Sequence, residues 1–341
     1  MTLRPARQVP RRFFGRVRQG QWPRERPCLL DRIRFVDSFF RPGDFACAIY
    51  CRTRDKMDRH NTKGREFMEA IWQECGGFLD PDTPKRATLS MPAVFWELYL
   101  AHVLKSAGIS LQPQARSKKN QKGPDLFADK PDVWIEAVLP ELGTGPDAME
   151  YPPMGIASDV PVRSFILRLR SAFETKARIM AEYARTGLVK SGQAQVIAIS
   201  GALLPTAIGE GPVPRILQAI LGVGNLVLDI AQRTGEIVGH SVEHRDEVQK
   251  KSGAAINTAP FLDHAYSHIS AVIYSASCWV NHPPVPGPDF TVIHNDIADV
   301  KLPHGWLPIG DEYWREGDKL HSERHSTPVD AGPDTPLEAS E

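Results

Sequence analysis

The chain has 341 residues, 42% of them hydrophobic and 24% charged, which is sufficient for a globular protein with a buried core. Lysine and arginine total 41, as do aspartate and glutamate. The zero formal net charge excludes a wholly basic coat protein for nucleic acid and an acidic disordered regulator, but not a local basic site. The five cysteines lack CxxC spacing and are typical of reduced thiols. No stretch approaches the ~18 apolar residues of a membrane helix, so we expect a cytoplasmic protein with no membrane partner.

Charge is concentrated at the two ends of the chain. Residues 1–60 contain 14 Arg and one Lys against six acidic residues. This segment is either an arginine arm that contacts phosphate or a partly disordered N-terminus. Residues 316–341 are predicted to form a disordered acidic tail, because they are rich in Ser, Pro, Asp and Glu. The intervening residues 61–315 are predicted to form a single α/β domain, with its core at 91–200.

Hydrophobic periodicity predicts helices and strands along this domain in a definite order. Helices are expected at 62–75, at 91–107 after Ser90 as N-cap, and at 162–186. Strands are expected at 109–115, 123–128, 132–138, 195–200, 225–230, 268–275 and 290–294. A helix, three strands, a helix and a buried strand in succession imply an α/β sandwich with a central mixed sheet flanked by helices, plus extra C-terminal strands.

The most informative segment is a predicted hairpin that carries two carboxylates. If the strands are symmetric about the turn 129–132, paired residues have numbers that add to 261, and Asp125 lies opposite Glu136. Like charges opposite each other are destabilising. A divalent cation between the two carboxylates would remove that cost, and oxygen ligands of this kind suit Mg²⁺ or Mn²⁺. The alternative interpretation is two solvated carboxylates on an edge hairpin.

The string Gly-Pro-Asp at 123–125, followed by Trp-Ile-Glu-Ala-Val at 134–138, resembles the PD-(D/E)xK nuclease superfamily. The resemblance covers about residues 91–200 and includes the order of the predicted elements. It implies a restriction-endonuclease-like three-layer sandwich, in which Asp125 and Glu136 hold the divalent metal. In that family a lysine two residues after the second acid positions or activates the attacking water. Here Val138 occupies that position, so either the activity is lost or another base supplies the charge.

Lys176 is the candidate replacement for the missing lysine. It lies within the apolar stripe of the predicted helix at 162–186, where a lysine is unusual unless it is paired. Some members of the superfamily place the lysine on this following helix. The alternative is a lysine at the margin of the stripe, with its ammonium group in water.

Two further sets of residues extend the predicted site. Glu97 lies among apolar residues of the helix at 91–107 and resembles the glutamate that resolvase-like branches place near the metal; otherwise it is a surface residue beside an aromatic cluster. Four basic residues immediately before the hairpin either bind a nucleic-acid backbone or form a solvated loop. They are Arg116, Lys118, Lys119 and Lys122.

A competing motif is His240-Ser-Val-Glu-His244, which matches the HxxEH pattern of zinc peptidases. Its flanking glycines favour a strand end over the helix that this chemistry needs. The resemblance to the nuclease superfamily implies a metal-dependent nuclease that hydrolyses phosphodiester bonds, with DNA a better candidate substrate than RNA. The alternative is a catalytically inactive protein that keeps the nuclease fold to bind nucleic acid or protein.

Overall fold

The computed structural model describes residues 38–113, 123–153, 155 and 159–325. A central sheet has seven strands, which are β1 (Leu126–Ala128), β2 (Val133–Val138), β3 (Ala194–Ser200), β8 (Ala271–Ser275), β9 (Thr291–His294), β10 (Gly310–Glu316) and β11 (Lys319–His325). Their order across the sheet is β1-β2-β3-β8-β9-β10-β11. Two separate hairpins are formed by β4 (Val223–Ile230) with β5 (Ile237–His244) and by β6 (Glu247–Gln249) with β7 (Ala255–Asn257). The helices are α1 (Ala48–Asp55), α2 (Arg59–Cys75), α3 (Thr83–Ser106), α4 (Val162–Arg185) and α5 (Arg215–Ile220).

The central sheet is mixed. β2, β3 and β8 are parallel neighbours, and so are β9 and β10. β1 is antiparallel to β2, β8 to β9, and β10 to β11. Helix α4 lies in the connection between β2 and β3, as a parallel pair requires, because its strands cannot be joined by a tight turn.

Helices flank the sheet on both faces, and each face has its own hydrophobic core. Val196 and Ile197 are consecutive residues of β3, and both are fully buried. Val196 belongs to the first core, which contains buried residues of α1, α2 and α3. Ile197 belongs to the second core, which contains those of α4 and α5. Because successive side chains of a strand point to opposite faces, the sheet lies between two helical layers.

Helix α3 has a break that later determines the geometry of the site. Ser90 has non-helical backbone angles (φ −150°, ψ 77°), and Pro92 follows it. The predicted start of a helix after Ser90 therefore corresponds to the second half of α3. The first half, from Thr83, was not predicted.

Most predicted elements are present, although several boundaries differ. The helices at 62–75 and 162–186 and the strands at 132–138 and 195–200 are confirmed. The segment 109–115 does not form a strand where it is described; only Leu111 forms an isolated bridge, with Ala128. The strand predicted at 123–128 is short and begins at Leu126.

The structure also places regular elements within both predicted end segments. Helix α1 lies in the Arg-rich segment 1–60, of which residues 1–37 are outside the described residues. Strand β11 occupies part of the predicted tail 316–341, so the sheet extends past the predicted boundary at 315, as far as His325. The local composition of β11 is polar, and its seven residues pair with β10 along their whole length. Backbone pairing with an existing strand explains why this polar segment is part of the sheet.

Helix α3 is long and apolar enough by composition to cross a membrane, contrary to the expectation that no stretch would be. However, 72% of its apolar window is buried inside the protein, as in the core helix of a soluble protein. The HxxEH segment at 240–244 lies in β5, so its two histidines are not one helical turn apart. A zinc-peptidase helix is therefore excluded at this position.

Candidate functional site

The hairpin β1–β2 has the register that its sequence predicts. Leu126 pairs with Ile135, and Phe127 pairs with Trp134, with ring centroids 4.4 Å apart. Each pair of numbers adds to 261. Asp125 immediately precedes β1, so the same register continued by one residue leads to Glu136.

The Asp125 carboxylate is turned toward the main chain of β2. Its Oδ2 atom accepts a hydrogen bond from the backbone N–H of Ala137, with a donor–acceptor distance of 2.8 Å. Ala137 directly follows Glu136, so the Asp125 carboxylate is held beside the second acidic residue. Glu136 is buried, with 6% of its side chain exposed. The Asp125 carboxylate therefore lies beside the backbone of the residue that follows Glu136, at the end of the sheet where β1 begins.

Lys176 of α4 lies directly over the second carboxylate. Its Nζ atom donates a hydrogen bond to Glu136 Oε1 at 2.6 Å, and 19% of its side chain is exposed. Trp134 and Val138 contact the second core, the same core in which α4 is buried. Glu136 is two residues from each of them along β2. Because residues two apart on a strand share a face, its side chain also points toward α4. The Lys176 ammonium thus reaches one of the two carboxylates, that of Glu136, as expected.

Glu97 approaches the same place from the second half of α3. Burial is the main cause that raises its pKa, to about 7, and the negative charge of Asp125 raises it further. The positive charges of Arg86 and Lys176 act in the opposite direction. Glu97 is therefore electrostatically coupled to Asp125 and Lys176, as expected for a residue that points toward the hairpin. A carboxyl group with this pKa is partly protonated near neutral pH.

Arg86 is a member of the site that the sequence analysis missed. Its guanidinium group forms an ion pair with Glu97, and Asp125 also contributes to raising its pKa, although burial opposes that shift. In a straight helix residues 86 and 97 would be about 16 Å apart along the axis. The break at Ser90 lets them meet. Pro92 and the capping serine were the sequence signals of a break, but the direction of the bend depends on tertiary packing.

The site carries more negative than positive charge. Glu97, Asp125 and Glu136 contribute up to three negative charges, whereas Lys176 and Arg86 contribute two positive charges. The raised pKa of Glu97 is the electrostatic result of this excess and of burial. Carboxylate oxygens are the donors that Mg²⁺ and Mn²⁺ prefer, so the residues present fit a hard divalent cation.

The four basic residues expected to contact nucleic acid lie outside the described residues. Arg116, Lys118, Lys119 and Lys122 all fall within 114–122. The chain resumes at Gly123, two residues before Asp125. Their role therefore stays a prediction.

Comparison with known proteins gives no match. No protein-family model, no curated protein and no solved structure is similar to this chain at a significant level. The resemblance to the nuclease superfamily thus depends on the local motif, the order of elements and the site geometry.

Other groups in the described part of the chain could also hold a metal ion. In each, the ligand atoms lie within 4.8 Å of one another. One group is Glu74, Cys75 and His102, and the other two share Glu312. Asp125 and Glu136 belong to none of the three. The first group has a cation of its own, because Lys105 lies 3.1 Å from Glu74. Of the two groups around Glu312, the one formed by His294, His304 and Glu312 has two buried members and contains two imidazoles.

Proposed function

We propose that this protein is a metal-dependent nuclease of the restriction-endonuclease-like type, which hydrolyses phosphodiester bonds of nucleic acid. The observation that supports this most strongly is the contact between Lys176 and Glu136. The strand position that holds the lysine in the nuclease motif is Val138, yet an ammonium group still reaches the second acid from helix α4. We therefore regard the lysine as relocated rather than lost.

Asp125 and Glu136 would hold Mg²⁺ or Mn²⁺. When bound, such an ion supplies Lewis-acid polarisation of the phosphoryl oxygen and lowers the pKa of water. The chain positions its own ligands in advance, because the Ala137 N–H orients Asp125 and the Lys176 ammonium orients Glu136. This preorganisation avoids an ordering cost when the substrate binds.

Lys176 would act on the phosphate that is being cleaved. Its compact ammonium group carries three donors, of which one is directed at Glu136. The others could orient the attacking water and stabilise the negative charge that develops on the phosphate oxygens. Its side chain starts from a helix that is buried in the second core, and its charged end reaches Glu136.

Glu97 and Arg86 would support the reaction from α3. A carboxyl group whose pKa is about 7 can give or take a proton near neutral pH, which suits general acid–base work. Arg86 keeps 41% of its side chain exposed, so its guanidinium could also contact a substrate phosphate. Arg116, Lys118, Lys119 and Lys122 would extend this contact along the backbone of the nucleic acid, with DNA preferred over RNA.

The second candidate function is binding of nucleic acid or protein without catalysis. Val138 favours it, since a strand lysine is absent from the motif. The two candidates share the fold and the basic residues but differ in one respect. Only the nuclease needs both carboxylates and the ammonium.

The decisive experiment is a nuclease assay with single-stranded DNA, double-stranded DNA and RNA in Mg²⁺ or Mn²⁺. Wild type should cleave at least one substrate, and chelation of the metal should stop cleavage. Asp125→Ala should abolish it. Asp132→Ala is the matched control, because this exposed carboxylate of the same hairpin receives only the Gln193 amide in the described structure. Equal cleavage by Asp125→Ala and wild type would refute the nuclease, and binding without cleavage by wild type would favour the second candidate.

A further inference from the structure

A second cluster of charged and imidazole groups lies near the opposite edge of the sheet, on β9, β10 and β11. Glu136 is on β2 and Glu312 is on β10, which are four strand positions apart. At about 4.8 Å per strand, roughly 19 Å separates the two places across the sheet. The cluster is therefore distinct from the candidate nuclease site.

The register of the strands brings this cluster onto one face. Glu312 is paired with Val292 of β9 and with Glu323 of β11. His294 is two residues beyond Val292, and His325 is two residues beyond Glu323. Residues two apart on a strand share a face, so both histidines lie diagonally beside Glu312.

Two carboxylates thus occupy directly opposed positions in the β10–β11 hairpin. Like charges at opposed positions are destabilising. Glu323 keeps 60% of its side chain exposed, whereas Glu312 keeps only 2%. In the described part of the chain, the ion-pair partners of Glu312 are both histidines, with no lysine or arginine. An additional cation would therefore improve the charge balance.

The hydrogen bonds around Glu312 hold its carboxylate between the histidines. His294 Nε2 lies 2.5 Å from Glu312 Oε1, and His325 Nε2 lies 2.8 Å from Oε2. The backbone N–H of Gly305 donates to both oxygens, at 2.8 and 3.1 Å.

His304 completes the cluster from the loop between β9 and β10. Its ring is stacked on that of His294, with centroids 4.6 Å apart, and its other neighbour is Trp314. The ligand atoms of His294, His304 and Glu312 all lie within 4.8 Å of one another. His304 is exposed, whereas His294 and Glu312 are buried. An ion could therefore enter from the His304 side.

We propose that His294, His304 and Glu312 form a binding site for a divalent transition metal of the Zn²⁺ class. Two imidazoles and one carboxylate are a ligand set that suits Zn²⁺, with bonds of roughly 2.0–2.2 Å. Glu323 or solvent would complete the coordination. The contacts of His325 and Gly305 with the carboxylate match the outer hydrogen bonds that orient metal ligands.

Such an ion would stabilise the C-terminal part of the sheet. It would connect β9, the following loop and β10, and through Glu312 it would also act on β11. Strand β11 is polar and forms the edge of the sheet, so it buries little apolar surface. A metal ion that holds Glu312 would add stability that this small burial does not supply. The rival explanation is a purely hydrogen-bonded His–Glu–His network, which needs no ion.

The test is titration of the full chain, first stripped of metal by a chelator, with Zn²⁺ alone in a calorimeter. We expect one ion per chain at this site and a rise in the melting temperature with Zn²⁺. Absorption of the Co²⁺-substituted protein should report imidazole and carboxylate ligands. His304→Ala should weaken Zn²⁺ binding at least about 10-fold, and His325→Ala should weaken it by roughly 10- to 100-fold.

His304 is exposed, so its substitution should leave folding intact, as circular dichroism can verify. His264→Ala, another exposed histidine, is the matched control and should bind Zn²⁺ like wild type. Asp125→Ala should also bind Zn²⁺ like wild type, which separates this site from the nuclease proposal. The metal site would be refuted by a chain that binds no Zn²⁺, or by Zn²⁺ affinity that His304→Ala and His325→Ala leave unchanged. Either result would favour the hydrogen-bonded network.

Discussion

The Lys176 ammonium lies 2.6 Å from Glu136 Oε1, although the two residues are 40 positions apart and belong to different layers of the fold. This contact exists because α4 packs over β2 in the connection to β3. In the proposed nuclease, this ammonium group takes the place of the lysine that the motif carries on the strand.

Replacing Lys176 should lower the cleavage rate strongly and the free energy of unfolding only slightly. Lys176→Ala should lower metal-dependent cleavage by about 10²–10³-fold, the usual effect of losing one group that stabilises developing charge. Lys176→Arg should recover little, because a planar guanidinium is not a compact point charge. Cleavage rates measure the loss of activity, and circular dichroism measures whether the variant is folded. Lys190→Ala, at an exposed lysine after α4, is the control, and wild-type cleavage by Lys176→Ala would contradict the assigned role.

Returning a lysine to the strand should compensate for its loss from the helix. Val138 lies two residues after Glu136 on β2, so a side chain at 138 shares the face of Glu136. The double variant Lys176→Ala/Val138→Lys should therefore cleave faster than Lys176→Ala, by at least about 10-fold if half of the lost barrier is recovered. Val138→Ala in the same background controls for the loss of the valine. Equal cleavage rates for the two double variants would indicate that the ammonium group acts only when α4 carries it.

The hairpin register and the contact of Lys176 with Glu136 could be predicted because local rules determine them. The turn at 129–132 fixes the register, and the apolar period of α4 identifies Lys176 as an inward residue. The break in α3 was also marked in the sequence, by Ser90 and Pro92. The direction of the bend, which brings Arg86 to Glu97, could not be predicted because it depends on tertiary packing.

The C-terminal cluster could not be predicted for a different reason. His294, His304 and Glu312 are separated by 10 and 8 positions, and proline-rich or polar residues surround them. They meet only because β9 and β10 are parallel neighbours and the loop between them folds back. The order of strands in a mixed sheet depends on long-range packing, and the polar strand β11 carried no hydrophobic period to reveal it.

The indole of Trp96 should be important for the stability of α3 on the sheet. Its Nε1–H donates to the backbone carbonyl of Ala198 in β3 at 2.9 Å, and the side chain is buried. Trp96→Phe removes the donor and part of the volume, which should lower the free energy of unfolding by about 1–3 kcal/mol. Denaturant unfolding measures this loss of unfolding free energy. Trp314→Phe, at a half-buried tryptophan of β10, is the comparison and should cost less.

Glu97 should make folding stability depend on pH near neutrality. Its pKa in the folded protein is about 7, against an ordinary value of 4.5, because burial and Asp125 both disfavour its charged form. A pKa raised by folding means that the folded state binds the proton more tightly. The contribution of Glu97 to stability is therefore complete below about pH 4.5 and is lost as the pH rises through 7.

Wild type should lose unfolding free energy relative to Glu97→Gln between about pH 4.5 and 7, with a slope of up to about 1.4 kcal/mol per pH unit. Arg86→Gln should extend this loss to higher pH, since Arg86 lowers the pKa of Glu97. Mg²⁺ should reduce the loss, because a cation favours the ionised carboxylate. Denaturant melts at fixed ionic strength from pH 4.5 to 8.5 measure all three effects. Parallel stability curves for wild type and Glu97→Gln would show that Glu97 titrates normally, and Glu97 would then have no proton to exchange at neutral pH.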